Sequence, residues 1–168
     1  MTDVLSSLLN KAACEEAVKD YLKWGQNKTG CALVMLDIDD FKQVNDTQGH
    51  YIGDMLLQKV GGMLKQQFRT SDVVARFGGD EFVAFLKDCA DPLFVEKKCQ
   101  SIQQELCCIS QQQRFAVTCS MGCVYAKAGQ KVDFVQLLKQ ADRALYEAKH
   151  SGKNAYELHG YADALSLQ

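Results

Sequence analysis

Several features that would place a protein quickly are missing from this sequence. It has no basic excess: the formal net charge is -2, so the electrostatic footprint of a nucleic-acid-binding protein is absent. No apolar run approaches the roughly 20 residues that a bilayer-spanning helix needs, and Met1-Thr2-Asp3 does not open like a signal peptide. No two cysteines stand at C-x-x-C spacing, the commonest sequence sign of a zinc site. Linkers, repeats and low-complexity stretches are lacking, and Pro92 is the only proline. These absences lead us to expect a cytoplasmic chain with no membrane segment and no nucleic-acid partner, although a parent protein tethered to a membrane stays compatible with them.

What is present suits one α+β domain. The chain has 168 residues, 47% of them hydrophobic, enough to bury a substantial core. Its eight cysteines fall mostly inside apolar periodic segments, so they read as small buried hydrophobes in a reducing compartment rather than a disulfide framework. A helix is expected over Val4 to Trp24, with Leu5, Leu8, Leu9, Ala12 and Ala13 on one stripe. Cys31 to Leu36 reads as a buried strand running into Asp37-Ile38-Asp39-Asp40. A short segment through Phe41, Val44 and Asn45 leads to a loop marked by Gly49 and Gly53, and a helix follows over Asp54 to Phe68.

The stretch Arg76-Phe77-Gly78-Gly79-Asp80-Glu81-Phe82 lies between two apolar, β-prone runs. Paired glycines there signal a hairpin, because tight turns need residues that accept positive φ. Asp91-Pro92 opens another helix, with Val95, Cys99, Ile102 and Leu106 on its buried stripe. Val117 to Tyr125 alternates as a half-buried strand, Phe134 to Leu145 marks a last long helix ended near Gly152, and Asn154 to Leu158 suggests an edge strand. The order contains the β-α-β-β-α-β unit of ferredoxin-like, palm-type folds, with helices expected on one face of the sheet. Residues 1–160 are expected to form the domain and 161–168 a frayed tail.

That topology places the acid after the first strand opposite the acids of the hairpin. Clustered carboxylates are costly to keep charged without a cation, and oxygen-only ligands favour Mg²⁺ or Mn²⁺. Two such ions would neutralise a triphosphate and lower the pKa of an attacking hydroxyl. Each candidate also has a plainer role: Asp39 and Asp40 as helix caps, Asn45 as a turn residue and Asp54 as an N-cap, or instead an amide and carboxylate reading a guanine edge. Lys149 and Lys153 either complement a helix C-terminus or bind phosphate. Arg69 and Asp72 read as a surface ion pair of little worth.

The motifs Asp37-Ile38-Asp39-Asp40-Phe41-Lys42, Asn45-Asp46-Thr47-Gln48-Gly49-His50, Gly53-Asp54, Ala75 to Phe82, Val117 to Gly122 and Ala141 to Lys149 together resemble the GGDEF family of diguanylate cyclases. The match covers nearly the whole chain, in the family's order and spacing. It implies a nucleotide-cyclase-like fold and condensation of two GTP into cyclic di-GMP with release of two pyrophosphates. By this resemblance Asp37, the Ile38 carbonyl, Asp80 and Glu81 hold two divalent ions, and Asp80 or Glu81 helps deprotonate the attacking 3′-hydroxyl. Asn45 and Asp54 hold guanine, while Asp40, Phe41, Gly78, Gly79, Lys149 and Lys153 surround the substrate. Arg69-Thr70-Ser71-Asp72 matches the family's R-x-x-D site for inhibitory product.

Two places depart from the family pattern: Asp3 to Lys11 differs from the usual Asp-Pro-Leu-Thr-Gly-Leu-x-Asn-Arg, and Lys153 stands where arginine is common. The two-fold symmetry of the product requires two chains face to face, so a homodimer is expected, with a sensory domain outside these residues. Two other readings stay open: a catalytically silent receptor for GTP or cyclic di-GMP, and a mononucleotide cyclase making 3′,5′-cyclic GMP.

Overall fold

The computed structural model describes residues 1–25 and 27–163. In chain order it forms β1 (Leu9–Asn10), α1 (Lys11–Gly25), β2 (Cys31–Ile38), α2 (Phe41–Gln48), α3 (His50–Gln67), β3 (Val73–Gly78), β4 (Glu81–Leu86), α4 (Pro92–Gln113), β5 (Cys119–Ala126), α5 (Phe134–His150) and β6 (Tyr156–Gly160). The strands make one six-stranded sheet in the order β1-β3-β4-β2-β5-β6. Its centre, β3-β4-β2-β5, is antiparallel throughout, which is the expected β-α-β-β-α-β arrangement. β1 and β6 extend the two edges, each pairing in parallel with its neighbour.

Helices cover both faces of this sheet, not one. On β2, Ala32, Val34, Leu36 and Ile38 point into a core with α3 and α4, while Cys31, Leu33 and Met35 point into a second core with α1 and α5. β4 alternates the same way: Phe82, Ala84 and Leu86 face the first core, Val83 and Phe85 the second. Alternation along a strand therefore sends Asp37 and Glu81 toward the α5 face. β5, expected to be half-buried, is buried along its whole length, because β2 and β6 flank it and helices close both sides. Gly122 shows how closely α5 approaches: a Cβ there would stand 2.2 Å from the Ala141 carbonyl oxygen.

The first helix begins at Lys11, not Val4. Asp3 accepts hydrogen bonds from the Ser6 N–H and hydroxyl, and Ser7 adopts φ 59°. Asn10 then caps α1, accepting from the Ala13 N–H at 2.9 Å. Leu8 leaves the expected stripe and is buried in the α3 and α4 core instead. α3 starts at His50, so the loop expected through Gly53 is already helical. Six cysteines are buried free thiols, whereas Cys107 and Cys108 are exposed on α4. Beyond β6, Tyr161 donates its N–H to the Tyr125 carbonyl, and Ala162 bonds to Gln140. The rest of the tail, 164–168, lies outside the described residues.

Candidate functional site

The carboxylates meet where β2 ends beside the β3–β4 turn. Asp37 is the register partner of Glu81, and the Ile38 N–H donates to the Asp80 carbonyl at 3.3 Å. The turn gets its shape from Gly78 (φ 136°) and Gly79 (φ 53°), in a region that residues with a Cβ seldom enter. A Cβ at either position would meet nothing within 4 Å, so the outer side of the turn is open. Arg76 grips the turn from its other side. Its Nε and Nη2 donate to the Gly79 carbonyl at 2.9 and 2.8 Å, and its Nη1 reaches both Asp3 oxygens at 3.1 Å.

Electrostatics at this end of the sheet are strained. Burial first, and the neighbouring Asp37 second, push the Asp80 carboxyl up to about 7. Burial likewise raises Glu81, followed by the charges of Asp37 and Asp142. Asp37 Oδ1 is buried without a hydrogen-bond partner. Two ionised carboxylates cannot donate to each other, so the Asp37–Asp80 contact becomes a hydrogen bond only when one side chain holds a proton. Among the described residues Lys149 supplies the one positive charge bonded to Asp37, pairing with Oδ2. A buried, under-satisfied carboxylate beside two others raised by burial is a donor set that fits an oxygen-preferring divalent cation.

A pH dependence follows from these raised values. Between the ordinary carboxylate range and about 7 the folded chain holds more protons than the unfolded chain. Its stability should therefore fall as pH rises through that window. Added Mg²⁺ should raise the melting midpoint more at pH 8 than at pH 5, as followed by differential scanning fluorimetry. An equal rise at both values would disconnect these acids from the cation.

Asp39 and Asp40 do not cap α2 with their side chains. Asp40 is the N-cap residue in the left-handed region, φ 52°, but makes no side-chain cap bond and instead pairs with Lys153 at 2.6 Å. Asp39 accepts from the Thr118 and Ser120 hydroxyls, each at 2.7 Å, and from the Asn154 N–H at 2.9 Å. It ties β5 and the α5–β6 turn to the end of β2. The Ser120 hydroxyl on the otherwise apolar β5, with the Thr118 hydroxyl just before that strand, is the sequence signal for this tie.

Asn45 and Asp54 both lie on helices, not in turns or caps. Asn45 is in α2 and Asp54 is the fifth residue of α3, exposed and with no bonded partner among the described residues. Gly53 brings the two together, because a Cβ there would fall 1.9 Å from Asn45 Oδ1. The Arg69–Asp72 ion pair does not form. Asp72 accepts from the backbone N–H groups of Arg69 (3.0 Å) and Lys87 (3.1 Å), while the Arg69 guanidinium lies over the Phe94 ring at 5.1 Å. Both residues line an open groove of about 460 Å³ beside Leu8, Leu9 and Val74.

This frame, a sheet presenting acids between a central strand and a hairpin, is the nucleotide-cyclase-like palm. The solved GGDEF domain of PA1120 from Pseudomonas aeruginosa superposes with a TM-score of 0.83 at 28% identity, covering 94% of each chain. The GGDEF domain of DgcB from Caulobacter crescentus, solved with cyclic di-GMP, gives 0.77 at 28% identity over 96% of this chain and 93% of that one. The family described as diguanylate cyclase, GGDEF domain, matches residues 1–155, and the chain belongs to it. Among curated proteins it is 35% identical to diguanylate cyclase DgcS of Shewanella oneidensis over 159 residues, 94% of this chain and 52% of that protein. It is 32% identical to diguanylate cyclase DgcP of Pseudomonas aeruginosa, covering 94% of this chain and 24% of that protein. The chain thus spans about half or less of the length of these relatives. Among the described residues no helix is long and apolar enough to cross a membrane.

Proposed function

We propose that residues 1–160 form a catalytic domain that condenses two GTP into cyclic di-GMP and two pyrophosphates. The observation that carries this reading is the convergence of Asp37, Asp80 and Glu81 beside Lys149, with an unsatisfied buried oxygen at its centre. Asp37, the Ile38 carbonyl, Asp80 and Glu81 would hold two divalent ions, Mg²⁺ or Mn²⁺. When bound, these supply charge neutralisation on the triphosphate and acidify the attacking hydroxyl.

The chain's own residues do the rest. The guanine edge lies against Asn45 and Asp54, the carboxylate accepting from the ring N–H and amino groups. The N–H groups at Asp40 and Phe41, at the start of α2, face phosphate oxygens. Lys149 and Lys153, now paired with Asp37 and Asp40, exchange those carboxylates for phosphates as nucleotide arrives. The open outer side of Gly78 and Gly79 lets substrate approach the backbone. Asp80 or Glu81, each with a raised proton affinity, takes the proton of the 3′-hydroxyl. The bond from that oxygen to the partner's α-phosphorus forms as the bond to the β-phosphate bridge breaks, and pyrophosphate leaves. Two chains face to face repeat the step to close the ring.

Gly53→Ala tests the guanine contact. The added methyl must displace the Asn45 amide while favouring helix by about 1 kcal/mol. We expect KM for GTP to rise about tenfold, roughly the worth of one lost hydrogen bond, with kcat little changed in steady-state assays. An unchanged KM would remove Asn45 from substrate binding.

The exposed Arg69 guanidinium and its groove suit a guanine face and a phosphate together, and we assign them to inhibitory product. Arg69→Ala should abolish inhibition by added cyclic di-GMP and leave the initial velocity near that of the parent. Equal inhibition in the variant would exclude the assignment.

A further inference from the structure

A second group of ligating side chains lies between α5 and the edge strand β6. Glu147 comes from α5, and Glu157 and His159 from the edge strand β6. Glu157 and His159 are two residues apart on a strand, so they share a face. Tyr156 and Leu158 pack with the α3 and α4 core, which leaves Glu157 and His159 on the α5 side. Their ligand atoms and that of Glu147 all lie within 4.8 Å of one another, and among the described residues this is the set that meets that criterion. The acids Asp37, Asp80 and Glu81 do not meet it.

The chemistry of the two groups differs as well. His159 Nε2 stands 2.9 Å from Glu147 Oε2, and Arg143 touches the other Glu147 oxygen at 3.5 Å. The Glu157 carboxylate faces Glu147 with no hydrogen bond or ion pair of its own among the described residues. Arg143, and His159 when protonated, offset the charge of Glu147, which leaves the nearby Glu157 carboxylate as the one without a cationic partner among the described residues. An imidazole with two carboxylates suits a borderline transition ion better than Mg²⁺, which takes oxygen alone. In a tetrahedral shell with bonds of about 2.1 Å, ligand atoms lie about 3.4 Å apart, so small rotamer changes suffice to close this set. The His159 and Glu147 side chains are 36% and 39% exposed, which gives an ion a path in.

We propose that Glu147, Glu157 and His159 form a surface site for a divalent transition ion such as Zn²⁺, separate from the oxygen-only acids at the sheet end. An ion there bridges α5 to β6 across the turn that carries Lys153 and Asn154, whose contacts to Asp40 and Asp39 it would brace. The inference does not depend on the proposed reaction.

The test is calorimetric titration with ZnCl₂ in excess MgCl₂, which occupies oxygen-only sites. The reference chain carries Cys107→Ser and Cys108→Ser, because those exposed thiols would also take zinc. We expect one Zn²⁺ per chain and a raised melting midpoint. His159→Gln and Glu157→Gln, each in the reference chain and folded by circular dichroism, should each weaken binding about tenfold or more, as even outer-shell changes do. Co²⁺ bound in place of zinc should show no thiolate charge-transfer band. No saturable binding in the reference chain, or unchanged binding in both variants, overturns the proposal.

Discussion

Asp80→Asn should cut cyclic di-GMP formation on the order of 10³-fold, the scale for losing a group that handles the reacting proton, and at the same time make the protein more stable. The two effects share one cause. Asp80 is held beside Asp37, where burial and the neighbouring charge make its ionised form unfavourable. An amide removes that repulsion and can donate to the buried, unpartnered Asp37 Oδ1. Solvent reaches this end of the sheet, so the gain is modest: about 1 kcal/mol after screening, or about 2–4 °C in melting midpoint for a chain of this size. A residue kept for folding would move the other way, losing stability as it loses activity. Scanning calorimetry with a product assay separates the cases, and a destabilised Asp80→Asn would assign the acid a structural role.

The second large effect concerns copy number. Each linkage of the product joins one nucleotide's hydroxyl to the other's α-phosphate, so a single Asp37–Asp80–Glu81 site cannot close the ring. Specific activity of the untethered chain should rise with protein concentration and vanish on dilution. Fusing two copies through a flexible linker makes their meeting intramolecular, at an effective concentration in the millimolar range. At nanomolar protein the fusion should outpace the single chain by on the order of 10²-fold or more. Comparing initial rates over a dilution series checks this. Equal specific activity for both forms at every dilution would contradict face-to-face catalysis.

Much of the frame was legible because strand alternation is strict. The apolar run of β2 and the Gly78-Gly79 turn determine which residues share a face, and the Asp37–Glu81 pairing follows from the topology. Helix starts were harder to read. Leu5, Leu8 and Leu9 have helical spacing, yet the Asp3–Ser6 bonds, the left-handed Ser7 and the Asn10 cap delay α1 to Lys11. Periodicity reports apolar faces, whereas local side-chain bonds to the backbone decide where a helix begins. The expectation of helices on one face failed because β2 and β4 are apolar on both sides, the mark of a sheet buried twice.

Long-range polar partners were out of reach. Asp39 reads as a cap until Thr118, Ser120 and Asn154 are seen to converge on it. The Arg76 clamp joins Asp3 to Gly79 across the sheet edge, although Asp3 belongs to a stretch that departs from the family pattern. Lys149, read as a helix-end charge or a phosphate ligand, pairs with Asp37 across the sheet end, a partner neither reading names. Such pairings depend on how elements stack, which spacing along one chain does not encode.

Mass spectrometry of the products formed by the tethered pair with GTP and Mg²⁺ bears most directly on the central claim. The account predicts cyclic di-GMP, one pyrophosphate released per GTP consumed, and neither product from a pair carrying Asp80→Asn in both copies. Formation of 3′,5′-cyclic GMP, or cyclic di-GMP undiminished by that substitution, would contradict it.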